Sequence, residues 1–94
     1  MNLTNKISVP PQVVARAVGK EMVLLDLASG TYFGLDPVGA FVWERLQRGS
    51  TVNELVHAVR EEYEAEPNAV ENDVKQLLTS LHSEGLIQFD DSTG

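Results

Sequence analysis

The sequence predicts an α+β domain with a winged-helix-like fold: a three-stranded antiparallel sheet followed by three helices, in the order β-β-β-α-α-α. Three observations carry that prediction. From Gln12 to Leu35 the apolar residues come in short Val- and Leu-rich runs, separated by Gly19-Lys20 and by Ala28-Ser29-Gly30. Short runs between turn residues are the mark of strands joined as hairpins. At Asp36-Pro37 the apolar period changes to three and four, and it stays helical as far as Gly85. The last two helices meet across Pro67 as a helix-turn-helix, which with three strands beside it reads as a winged-helix variant.

Residues 1–11 show no clear period and end in Pro10-Pro11, so they read as a flexible or loosely docked arm. Gln12–Val18 is the first expected strand of a domain spanning residues 12–89. Glu21–Leu27 is the second; Val23, Leu25 and Leu27 share one face, and Met22, Leu24 and Asp26 share the other. Thr31–Leu35 is the third, with Thr31, Phe33 and Leu35 on one side and Tyr32 and Gly34 on the other. Two short connections make the three an antiparallel meander.

Asp36 as N-cap and Pro37 at the first helical position open the first helix. Its apolar stripe runs through Val38, Phe41, Val42 and Leu46, and Gly49 marks its stop. Thr51 with Glu54 forms a capping box for the second helix, whose stripe is Val52, Leu55, Val56, Val59 and Tyr63. Pro67-Asn68 breaks that helix. The third carries Val70, Val74, Leu77, Leu78 and Leu81 and ends at Gly85. Leu86–Phe89 is a short extended piece, and residues 90–94 read as a frayed, disordered tail.

The chain has 94 residues, 43% of them hydrophobic and 22% charged, enough for one small core. It contains no cysteine, which excludes disulfides, thiol nucleophiles and Cys-based metal sites. No apolar run approaches the ~18–20 residues of a membrane span, and no basic-then-apolar leader opens the chain, so the expected location is the cytoplasm. The net charge is −7 and unevenly placed. Residues 1–48 carry five basic and four acidic side chains; residues 49–94 carry two basic and ten acidic ones.

Catalytic material is scarce. His57 and His82 lie on different helices without a carboxylate partner set for metal ligation, and the serines lack a nucleophile-elbow context. Gly30, Gly34 and Gly39 match neither a P-loop nor a dinucleotide fingerprint. No cofactor, metal or catalytic residue is expected. Nucleic acid is excluded as a partner on charge. A recognition helix brings Arg, Lys, Asn or Gln to the groove, whereas the third helix carries Lys75 against Glu71, Asp73 and Glu84.

What remains is an open strand. Thr31–Leu35 is an outer strand with no internal Lys or Pro to deter pairing. An extended peptide can add there, bonding through its main chain and seating side chains toward a helix. On the third helix, Val74, Leu78 and Leu81 face the core. Val70, Asp73, Leu77, Ser80 and Glu84 form a mixed apolar and acidic rail beside them. The plainer reading stays open: Tyr32 and Phe33 as sheet-packing aromatics, Leu77 as core and the acidic residues as a solvated face.

The run Val23-Leu24-Leu25-Asp26-Leu27-Ala28-Ser29-Gly30-Thr31-Tyr32-Phe33-Gly34-Leu35, continuing through Gly39 to Trp43, resembles the hallmark of PqqD-like proteins. These are the RiPP recognition elements, which bind leader peptides of ribosomally made, post-translationally modified peptides. Gly49-Ser50-Thr51-Val52-Asn53-Glu54-Leu55 resembles the family's Gly-x-Thr-Val-x-Glu-Leu/Ile segment. Asp73-Val74, Leu77-Leu78, Leu81 and Gly85-Leu86 resemble its last helix. The Leu25-Asp26…Gly30-Thr31-Tyr32…Leu35 form is more similar to standalone lasso-peptide members than to those of pyrroloquinoline quinone synthesis.

The resemblance implies a non-catalytic chaperone that takes the leader as an extra strand beside the third strand. It implies strand contacts at Tyr32, Phe33, Gly34 and Leu35 and helix contacts at Val70, Asp73, Val74 and Leu77. Thr31, Ser80, Leu81 and Glu84 complete the expected binding set. The implied partners are the precursor leader peptide, a transglutaminase-like leader peptidase and a macrolactam-forming cyclase. The alternatives are a PqqD-type chaperone presenting its precursor to a radical enzyme, and a winged-helix adaptor or regulator without a leader peptide.

Overall fold

The structure, a computed structural model, describes residues 3–64 and 66–90. Its elements are β1 (Lys6–Ser8), β2 (Val13–Val18), β3 (Glu21–Asp26), β4 (Tyr32–Leu35), α1 (Pro37–Leu46), α2 (Val52–Tyr63), α3 (Pro67–Ser83) and β5 (Gln88–Asp90). The central meander β2-β3-β4 is antiparallel and is followed by the three helices, as the apolar periods require. Gly19, at φ +64, and Lys20 make the β2–β3 turn, the Gly-X order suited to a two-residue hairpin.

Alternation along β3 leaves open which face turns to the core, and the structure turns Met22, Leu24 and Asp26 inward. Met22, Leu24 and Asp26 are buried, Val23 and Leu25 are half-buried, and Leu27 is 61% exposed. Both faces of this strand carry two apolar residues, so the period cannot choose between them. The choice follows from pairing: Met22 lies opposite Leu35 and Leu24 opposite Phe33, and α1 packs over β3 and β4. Gly39 permits that approach. A Cβ on it would stand 3.2–3.3 Å from Leu35 and from the Asp36 carboxylate.

The helix caps form as their residues dictate. Asp36 Oδ1 accepts the Gly39 N–H at 2.7 Å. Thr51 Oγ1 accepts the Glu54 N–H at 3.2 Å, and Glu54 Oε1 accepts the Thr51 N–H at 2.9 Å. Helix α2 ends at Tyr63 with Glu64 left-handed at φ 46, so Pro67 opens α3 rather than breaking its predecessor. Tyr63 meets Phe41 edge to face with centroids 5.7 Å apart, and Arg45 lies over the same Phe41 ring at 5.2 Å, tying α2 to α1.

The described part of the expected arm is docked. Lys6–Ser8 pairs antiparallel with Gln88–Asp90, so Ile7 faces Phe89 and is buried. The carbonyls of Leu3 and Asn5 accept the Asn53 and Val52 N–H groups at 2.8 and 3.1 Å. With the capping box, these bonds satisfy the first three N–H groups of α2, donors that a helix cannot satisfy internally. Asp90, expected in the tail, is the last residue of β5; residues 1–2 and 91–94 lie outside the described residues.

Two outcomes are expected from this architecture. Ile7→Ala destabilises the protein by about 2–5 kcal/mol in urea unfolding, the cost of emptying a core position; a freely flexible arm would give no change. The Thr51 N–H and then the Thr51 hydroxyl hold the Glu54 carboxyl below the usual 4.5, against an opposing effect of desolvation and with a lesser contribution from the charge of Lys6. A depressed folded value stabilises above the unfolded pKa and is lost as pH falls through the folded one. The stability difference between wild type and Glu54→Gln therefore shrinks from pH about 7 to about 3.

Candidate peptide-binding edge and groove

In the order β2-β3-β4, strand β4 is terminal, and among the described residues no strand lies along its outer side. The register decides which backbone groups face that side. Asp26 N–H donates to the Thr31 carbonyl at 2.9 Å, and the pairing continues through Leu24–Phe33 and Met22–Leu35. In an antiparallel ladder, bonded and non-bonded pairs alternate. Thr31, Phe33 and Leu35 thus bond inward to β3, while the N–H and C=O groups of Tyr32 and Gly34 point to the open edge.

The side chains divide the other way. Phe33 and Leu35 point toward the helices; Leu35 is buried and Phe33 half-buried. Tyr32 lies on the outer face opposite Leu25 and is 70% exposed. Gly34, opposite Val23, is exposed, and a Cβ there would meet nothing within 4 Å. The monomer's own packing does not require this glycine. A bare backbone in an edge strand is suited to the close approach of another chain.

Beside the edge runs a groove of about 430 Å³ lined by Phe33 and, from α3, Asp73, Gln76, Leu77 and Ser80. These α3 positions recur at helical spacing on one face. Phe33 and Leu77, both half-buried, give the groove an apolar floor; Asp73, Gln76 and Ser80 give it a polar rim. No basic side chain lines it. Lys75, on the same helix, is paired with Glu71 at 3.2 Å.

The expected site residues separate into three groups. Phe33, Asp73, Leu77 and Ser80 meet in the groove, and Tyr32 and Gly34 supply the edge. Leu35, Val70, Val74 and Leu81 belong to the core. Val70, placed by its spacing on the outer rail, is 4% exposed and packs inward at the start of α3. Thr31 and Glu84 lie beyond the groove: the Thr31 hydroxyl accepts from Ser29 at 2.9 Å, and Glu84 caps the end of α3. Gln76 was not among the expected residues. Its signal was available, since it stands three residues after Asp73 and four before Ser80.

A larger hollow of about 600 Å³ between α1 and α2 is lined by polar side chains, including Arg45, Glu54 and an exposed His57–Glu61 pair at 3.0 Å. It lacks an apolar anchor. His82 packs against the Phe89 ring at 5.0 Å. Among the described residues, no group of three His, Cys, Asp or Glu side chains is placed to hold a metal ion.

Fold, open edge and groove together define a small winged-helix-like module in which one of the two outer strands, β4, has its open edge beside a groove. The family model for Coenzyme PQQ synthesis protein D (PqqD) matches residues 21–87, and the chain belongs to that family. The solved structure of TbiB1 in complex with the TbiA(beta) leader peptide is 34% identical at a TM-score of 0.80, covering 93% of this chain and 99% of that one. Lasso peptide synthetase B1 complexed with the leader peptide is 30% identical at a TM-score of 0.78, covering 87% of this chain and 96% of that one. A search of curated proteins gives no match.

Because nothing in the fold fills the space above Gly34, Gly34→Val is expected to leave thermal stability within about 1 kcal/mol of wild type or to raise it. Cooperative melting followed by circular dichroism measures this. A large loss would mean that the glycine serves the monomer's own backbone.

Proposed function

We propose that this protein is a non-catalytic recognition module for the leader segment of a ribosomally made precursor peptide of the lasso class. The observation that carries the proposal is an open β4 edge lying beside a groove with an apolar floor. The leader adds as a strand, its main chain bonding to the exposed groups of Tyr32 and Gly34. Alternate leader side chains then fall into the groove, where apolar anchors rest between Phe33 and Leu77. Leu35, Val70, Val74 and Leu81 act from beneath by fixing β4 and α3 in the core. Thr31 and Glu84 mark the two ends of the contact.

Asp73 and Glu84 favour leaders with basic residues near the groove, an effect on encounter rate and register more than on final affinity. No bond is made or broken by this chain. Its contribution is to hold the precursor in one orientation and to raise its local concentration at a partner enzyme. The proposed partners are a transglutaminase-like leader peptidase and, afterwards, a cyclase. The similarity to two leader-peptide complexes supports the lasso reading. The family's description in coenzyme PQQ synthesis supports the alternative, presentation of a precursor to a radical enzyme. No described helix is long and apolar enough to cross a membrane, and we place the encounter in the cytoplasm, where precursors are made.

The test is a fluorescence-anisotropy titration of labelled leader peptide from the neighbouring precursor gene into wild type and Leu77→Glu. Wild type binds saturably, and the variant, which places a charge against the apolar floor, binds about tenfold or more weakly. Absence of binding by wild type sinks the proposal. Equal binding by a folded variant removes Leu77 from the site. Saturable binding of a PQQ-type precursor in place of the lasso leader would select the alternative.

A further inference from the structure

Asp26 is the buried charged side chain of the described residues, 7% exposed in the core-facing row of β3. A carboxylate in that position is costly unless its oxygens are hydrogen-bonded. Here Oδ1 accepts the Ala28 N–H at 2.9 Å and the Ser29 N–H at 3.3 Å. The Asp26 main chain bonds in the same loop: its carbonyl accepts the Gly30 N–H at 2.8 Å, and its N–H donates to the Thr31 carbonyl at 2.9 Å. One residue therefore takes part in four hydrogen bonds spanning the whole connection from β3 to β4. Gly30, at φ +76, supplies the left-handed step that lets the loop close around it.

The last of those bonds is the first rung of the β3–β4 ladder, one residue before Tyr32. An edge strand receives ladder bonds from one side only, so the rungs near its start depend on the turn that precedes them. Ser29 strengthens the same junction: its hydroxyl donates to Thr31 Oγ1 at 2.9 Å and accepts the Thr31 N–H at 3.2 Å.

We infer that Asp26 is a positioning residue for the open edge: through its side-chain bonds to Ala28 and Ser29 it holds Thr31–Leu35 extended and in register, so that Tyr32 and Gly34 are pre-set to receive an incoming strand. The inference rests on the leader-binding reading for its purpose, but the ordering of β4 exists without any peptide. A strand that must first be ordered spends part of its binding free energy on that ordering. Buried opposite Val13 of β2 and absent from the groove lining, Asp26 acts through β4 rather than by touching the ligand.

The test compares Asp26→Asn, which keeps an acceptor oxygen, with Asp26→Leu, which fills similar space without one. The first readout is amide hydrogen exchange of the peptide-free protein. Phe33, paired with Leu24, reports on β4, and Leu78, buried in α3, reports on the whole fold. In Asp26→Leu the Phe33 amide exchanges about tenfold or more faster relative to wild type while Leu78 changes little, since a hydrogen bond to a charged group is lost locally. Affinity for the neighbouring leader falls by a similar factor, and Asp26→Asn restores both to within about threefold of wild type.

A general destabilisation would raise exchange at Phe33 and Leu78 alike and would overturn the inference. So would unchanged exchange at Phe33, an Asn variant as loose as Leu, or a loosened β4 that binds leader as tightly as wild type. Should Asp26→Leu not fold, Asp26→Ala is read in the same way, and failure of both to fold assigns Asp26 to global stability and overturns the inference. If wild type itself binds no leader, the proposed function falls, and the exchange pattern alone decides whether Asp26 orders the edge.

Discussion

The pairing of Leu24 with Phe33 and Met22 with Leu35 is the constraint on which the rest of the structure depends. Side chains alternate across a strand and ladder bonds alternate along it, so one register decides both at once. With Phe33 and Leu35 turned toward the helices, the backbone groups of Tyr32 and Gly34 must face outward along the edge. A slip of one residue would turn Tyr32 and Gly34 toward the helices and leave Phe33 on the outer face, so that the groove would lose its apolar floor. The groove floor, the open donors and acceptors and the seat of α1 all follow from the same few rungs.

The remaining elements are arranged around that edge without covering it. Helix α1 crosses β3 and β4 closely because Gly39 has no Cβ to hold it off Leu35. Helix α3 buries Val70, Val74, Leu78 and Leu81 and leaves Asp73, Gln76, Leu77 and Ser80 along the neighbouring face. A chain of 94 residues has little core to spare, and β1 pairing with β5 adds Ile7 to it while capping α2. Both short terminal strands are spent on each other, whereas among the described residues the two outer strands of the meander, β2 and β4, are each left unpaired on one side.

Local chemistry was legible in the sequence wherever a short-range rule determines the outcome. Asp36-Pro37, Thr51 with Glu54 and the turn glycines all act within one helical turn or hairpin, so the order and type of the central elements could be read directly. The β1–β5 pairing could not be read this way. It joins residues 80 or more positions apart, and each segment is three residues long and too short to show a period. The buried face of β3 was also undecidable by alternation, because the deciding residue is an aspartate whose carboxylate is satisfied by the turn behind it. The placement of Leu77, Asp73 and Ser80 on one groove beside the β4 edge followed from pattern. Val70 did not, because where the core ends along a helix depends on what packs over its first turn.

The architecture also explains why a winged-helix-like module can serve a ligand other than nucleic acid. Nucleic-acid affinity comes largely from cations set against phosphates. Here the helix in the recognition position offers Lys75, already neutralised by Glu71, and lines its groove with an aspartate. A peptide strand asks for something different: unpaired main-chain groups, a fixed register and a place for alternate apolar side chains. Those requirements are met by backbone geometry, which charge changes on the helices leave intact. An acidic helical half is thus compatible with the edge, and on the proposed reading it favours extended peptides carrying positive charge. On the proposed reading, selectivity divides between two elements, β4 supplying sequence-tolerant attachment and α3 supplying the side-chain preferences.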